Sequence, residues 1–75
     1  MKSCMIRLST IQDVRTLVDI VTAAVTDVDL SSGRYVVDAK SIMGIFSLDL
    51  MNPIKLTAHG DDPALFEKLT PFIVE

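Results

Sequence analysis

A small set of side chains in this sequence has reactive chemistry in a useful place. Ser41 stands at the head of an apolar run, Ser-Ile-Met-Gly-Ile-Phe-Ser-Leu (residues 41–48). Ser9 and Thr10 precede another amphipathic run, with Gln12 and Asp13 three residues on. Hydroxyls in such positions cap helices, and a helix start favours anions, so these are also places where a phosphate can sit. The chain has one histidine, His59, and one cysteine, Cys4. An imidazole is the side chain best suited to accept and pass on a phosphoryl group near neutral pH. His59 lies at the end of an alternating run and before an acidic turn, and reads as an exposed loop residue without a functional role. Cys4 alternates with Ile6 and Leu8, and reads as a small core residue rather than a reactive thiol. One Cys and one His make neither an internal disulfide nor a credible zinc site, so no metal and no cofactor is expected.

Elements that would position these groups follow from periodicity. Residues 1–8 alternate, with Cys4, Ile6 and Leu8 on one side, as in a half-buried strand. Ser9 or Thr10 then caps a helix, with Gln12 or Asp13 completing a capping box. Its apolar stripe is Ile11, Val14, Leu17, Val18, Val21 and Val25, opposite Gln12, Arg15, Thr16 and Asp19. Residues 27–31 alternate and residues 34–39, with Tyr35, Val36 and Val37, form another extended run; the turn signal Ser31-Ser32-Gly33 between them predicts a β-hairpin. Ser41 caps a short helix over residues 42–48, in which Gly44 costs about 1 kcal/mol relative to alanine. Residues 54–58 alternate again as a fourth strand. Asp62-Pro63 opens a last helix with Leu65, Phe66, Leu69, Phe72 and Ile73 on one face, and Pro71 ends or kinks it near Leu69–Thr70. The order β-α-β-β-α-β-α predicts an α+β open-faced sandwich. A four-stranded, mainly antiparallel sheet is covered on one face by helices. Strand order stays open.

Seventy-five residues make a single domain, residues 1–75, with one thin core. Hydrophobic residues are 49% of the chain and mean hydropathy is +0.43. Such richness argues against disorder and points to a protein partner or self-association. The net charge of −3 comes without a basic run or an aromatic-interleaved basic patch, so direct nucleic-acid binding is not expected. No apolar stretch approaches the roughly 18–20 residues of a membrane span. Arg7 interrupts any signal-peptide core, and a cytoplasmic location is expected.

The segment Ala39-Lys40-Ser41-Ile42-Met43-Gly44-Ile45-Phe46-Ser47-Leu48 closely resembles the regulatory-serine segment of the bacterial phosphocarrier HPr family. The element order matches that family along essentially the whole chain. A weaker match is the strand and turn Ile54-Lys-Leu-Thr-Ala-His-Gly-Asp-Asp. The resemblance implies a fold used to carry a phosphoryl group from enzyme I to sugar-specific enzyme II components. In the family the acceptor is a histidine capping the first helix, followed by an Arg and a Pro. Counting back from Ser41 puts that position on Thr10; counting from the Gly33 turn puts it on Ser9. The Arg position becomes Gln12 or Ile11 and the Pro position Asp13 or Gln12, so all three parts of the acceptor motif are missing.

The resemblance further implies that Ser41 is a site for HPr kinase, as in many Gram-positive bacteria. Phosphorylation there lets the protein bind a transcriptional regulator. Ile42, Met43 and Phe46 would form the docking face beside it. The expectation is a non-catalytic regulatory or protein-binding module, similar in logic to the catabolite-repression HPr-like proteins of bacilli. Its expected partners are phosphotransferase-system proteins, HPr kinase or a regulator. Two other readings remain at this point: a phosphocarrier with a relocated acceptor supported by Arg15, and a fold relative serving an unrelated partner.

Overall fold

Alternating apolar residues in three segments, with a continuous apolar run in a fourth, build the sheet. In the computed structural model, which describes residues 2–74, these are β1 (Lys2–Ile6), β2 (Val28–Ser32), β3 (Tyr35–Asp38) and β4 (Ile54–Ala58). Met1, the first residue of the predicted strand, lies outside the described residues. Three helices alternate with the strands: α1 (Ile11–Ala23), α2 (Ile42–Phe46) and α3 (Pro63–Leu69). A single 3₁₀ turn, Thr70–Phe72, follows α3.

Strand order is β1-β4-β2-β3, and every neighbouring pair is antiparallel. β4 is the hinge of the register. Leu56 stands opposite Cys4 of β1 on one side and Leu30 of β2 on the other. Because side chains alternate, Ile54, Leu56 and Ala58 all point to the helical layer and are completely buried. Val14, Leu17 and Val21 of α1, Ile45 of α2 and Leu65 and Leu69 of α3 meet them there. The opposite face carries Ser3, Met5, Lys55, Thr57, Asp29, Ser31, Val36 and Asp38, by register, and is left open. The molecule is an α+β open-faced sandwich.

Four local differences from the sequence reading have physical causes. β1 ends at Ile6, not at Leu8, because the backbone N–H of Arg7 turns to the carbonyl of Phe72 at 2.9 Å; Leu8 is buried all the same. The α1 stripe loses both its ends. Ile11, the first helical residue, is exposed, and Val25 lies beyond the helix because Ala24 is already extended at φ −74°, ψ 151°. α2 closes at Phe46, where the N–H of Ser47 and of Leu48 reach back three residues to Gly44 and Ile45. Ser31 and Ser32 belong to β2, so the hairpin turn is Gly33-Arg34 alone. Gly33 supplies φ +59° there and Arg34 follows with negative φ, the type II′ signature that matches strand twist.

The two edges of the sheet differ. At β1 the C-terminal segment lies along the outer edge: Val74 N–H donates to Met5 at 3.0 Å, and Ile73 bridges to Ile6. β3 has no such cover on its outer side among the described residues. Replacing Leu56 by alanine removes the side chain at the crossing of both strand pairs. It should lower stability by about 3 kcal/mol, read as a drop in urea midpoint at unchanged slope.

Candidate functional site

The capping residues resolve which hydroxyl starts each helix. Thr10, extended at φ −135°, ψ 164°, is the N-cap of α1. Its Oγ1 accepts the N–H of Asp13 at 3.0 Å. Asp13 answers reciprocally: its Oδ2 accepts the N–H groups of Ser9 at 2.9 Å and of Thr10 at 3.2 Å. Of the alternatives in the sequence, Thr10 with Asp13 forms the capping box and Ser9 stands one residue outside it. Gln12 faces outward and donates from Nε2 to Thr16 Oγ1 at 3.4 Å.

The chemical consequence is specific. A helix N-terminus attracts anions through its unpaired N–H groups and its dipole. Here a carboxylate of the chain itself takes the N–H groups of Ser9 and Thr10. Arg15 is exposed further along α1 and makes no ion pair among the described residues.

Ser41 caps α2. Its Oγ accepts the N–H of Gly44 at 3.2 Å, and its own N–H donates to the carbonyl of Asp38 at 2.9 Å. The side chain is exposed to solvent. Gly44 is a packing requirement as well as a weak helix former. A Cβ there would meet both Ser41 Oγ and Val37 Cβ at 3.2 Å, so its absence lets α2 press on β3. Ile45 and Leu48 face the core as expected. Met43 is 78% exposed and Phe46 is 42% exposed, whereas Ile42 is half-buried and packs against the core. The free apolar face of α2 is therefore Met43 and Phe46.

Tertiary structure joins Phe46 to the start of α1. The two line one shallow cleft of about 370 Å³, with Arg7, Leu8, Ser9, Thr10, Ile11, Leu50 and Met51 in its walls. Ile11, placed by sequence in the apolar stripe of α1, and Met51, which the sequence did not single out, become surface residues of this cleft; Met51 is 82% exposed. Ser41, at the opposite end of α2 from Phe46, does not line the cleft.

His59 is held elsewhere. It follows Ala58, which pairs with Lys2, whereas Thr10 follows the Ile6 end of β1. The two therefore lie at opposite ends of a five-residue strand, about 17 Å of chain. His59 Nε2 is 2.5 Å from Asp29 Oδ2, so this histidine is exposed but tethered. Among the described residues no group of three or more His, Cys, Asp or Glu is placed to hold a metal ion. No helix among them is long and apolar enough to cross a membrane.

The crystal structure of HPr-C-His from Thermoanaerobacter tengcongensis superposes on this arrangement with a TM-score of 0.82. The two chains are 27% identical, over 97% of this chain and 91% of that one. The chain has the HPr fold. No family model matches the sequence, and no curated protein matches it at a significant level. Of the two positions that the sequence resemblance offered at the start of the first helix, Ser9 and Thr10, the N-cap is Thr10.

Cys4 packs against the core from β1, and burial pushes its thiol above the ordinary range, with Lys2 acting the other way. The folded thiol thus holds its proton more tightly than the unfolded one. Alkylation by iodoacetamide should be slow at neutral pH, with a rate–pH midpoint above the ordinary 9.0. Stability should decline as pH rises past that value, because unfolding then releases a proton. Thr10→Ala and Asp13→Ala should each cost about 1 kcal/mol in urea unfolding. The double variant should cost less than their sum, because each removes one half of the same reciprocal cap.

Proposed function

We propose that this protein is an HPr-like regulatory or protein-binding module that does not relay phosphate through a histidine. The capping box at α1 carries this reading. The residue we place in the acceptor position is Thr10; its own N–H and that of Ser9 donate to the Asp13 carboxylate, and its hydroxyl oxygen accepts the N–H of Asp13. A threonine hydroxyl without an adjacent base is a weak nucleophile, and its phosphoester is too stable to hand on. Asp13 adds repulsion against an incoming phosphate. On this reading the protein catalyses no reaction of its own.

Ser41 is the residue we assign to regulation. It is exposed, it stands in the segment that resembles the family's regulatory serine, and Met43 and Phe46 offer apolar surface on the helix it caps. HPr kinase would transfer the γ-phosphoryl group of ATP to Oγ, with loss of the hydroxyl proton. The modification adds about two negative charges beside Met43 and changes which surfaces that helix can meet. The cleft between Phe46 and Ile11 supports docking of phosphotransferase-system proteins or of a transcriptional regulator. Such partners place the protein in the cytoplasm.

Incubation with HPr kinase and ATP should add one phosphoryl group, mapped by tandem mass spectrometry to Ser41 and absent in Ser41→Ala. An unmodified wild-type protein would sink the regulatory reading. In parallel, enzyme I with phosphoenolpyruvate should leave no acid-labile phosphate on the chain; its appearance would restore a relay.

A further inference from the structure

The unguarded edge of the sheet is self-complementary. β3 is the last strand, and its turn fixes which of its groups face outward. A two-residue loop closes on a hydrogen-bonded pair, here Ser32 and Tyr35. Bonded and non-bonded pairs alternate, so Ser31 and Val36 form a non-bonded pair. The N–H and C=O of Val36 therefore point away from β2, and neither has a backbone partner elsewhere among the described residues. Proteins usually guard such an edge with lysine, proline or a bulge. β3 has none of these within Tyr35–Asp38, and its Tyr35 and Val36 are 71% and 65% exposed.

We propose that β3 pairs antiparallel with β3 of a second copy of this chain, about a two-fold axis at Val36. This inference is independent of any role for Ser41 or Thr10. The register decides the occupant. With Val36 opposite Val36, Tyr35 falls opposite Val37 and Arg34 opposite Asp38. Both charged residues are exposed, and neither makes an ion pair among the described residues. Asp38 stands opposite Asp29 of β2, an unfavourable like-charge neighbour; His59 partners Asp29, and no cation of the chain partners Asp38 among the described residues. Two-fold symmetry repeats each contact, so one Arg–Asp match becomes a pair of matches, and the Val36 N–H and C=O groups satisfy each other. The two sheets join into one of eight strands, with the Phe46 cleft left free. A strand of four residues buries little area, so the dimer is weak and concentration-dependent.

Sedimentation velocity from micromolar to millimolar protein should show the mass rise from one chain toward two. Amide chemical shifts of the wild type should move with concentration at residues 34–38. A single-chain mass at millimolar protein, or shifts centred on Phe46 and Met51 instead, would overturn the proposal. Charge variants provide the sharper test. Arg34→Asp and Asp38→Arg each set like charges against each other and should weaken self-association by about tenfold. Mixed in equal amounts, they restore both opposite-charge matches and should dimerise as the wild type does. Failure to recover on mixing, between variants that keep the wild-type far-ultraviolet circular dichroism, counts against the β3 register.

Discussion

The structure depends on a sheet that is covered on one side only. β4 runs between β1 and β2, and its inward residues Ile54, Leu56 and Ala58 have no exposure at all. α1 and α3 lie on that side and supply Leu17, Val21, Leu65 and Leu69. A small chain buries little, so nearly all of its stabilising apolar contact is concentrated in this layer. No polar or charged residue is buried among those described, and no buried side-chain polar atom lacks a partner. Chemistry is consequently displaced to the rim: the starts of α1 and α2, the open face and the edges.

At the rim, local hydrogen bonds decide what each group can do. Thr10 and Asp13 use each other and the backbone around them, so that a carboxylate of the chain itself stands at the start of α1. A capping box stabilises α1, whose many β-branched residues give it modest intrinsic propensity. The same bonds occupy the N–H groups of Ser9, Thr10 and Asp13. Ser41 differs because its cap is one-sided: α2 has no acidic residue in its first turn to answer back. Its hydroxyl stays exposed, and the helix it starts is held by Gly44 lying close against Val37.

Surface properties of the helical layer come from convergence. Ile11 begins α1, Phe46 ends α2 and Met51 sits in the following turn, yet they line one cleft. A single covered face leaves apolar side chains at its border half in and half out, and Phe46 at 42% exposure is such a residue. The border of the core and the docking surface are continuous there. The edges of the sheet show the same economy: the C-terminal segment closes β1, while β3 ends the sheet with Val36 facing outward.

Element types and order were legible in the sequence because they rest on local rules. Period-two runs gave three strands and an extended run after the Gly33 turn gave the fourth; Asp62-Pro63 gave the start of α3, and Pro71 gave its end at Leu69. The Ser41 cap and the buried Ile45 and Leu48 were legible for the same reason. Periodicity, however, cannot tell a residue that faces the core from one that faces a gap beside it. Ile11 and Val25 continue the α1 stripe in sequence but find no partner in space. Ile42 looked free and is half-covered. Nor does spacing along the chain choose between Ser9 and Thr10, because that depends on where β1 releases the backbone. In the folded chain Thr10 is the one extended against the first turn and boxed with Asp13. Strand order, the Phe46–Ile11 cleft and the distance of His59 from Thr10 are likewise tertiary facts. Each depends on which elements pack together, and local chemistry carries no term for that.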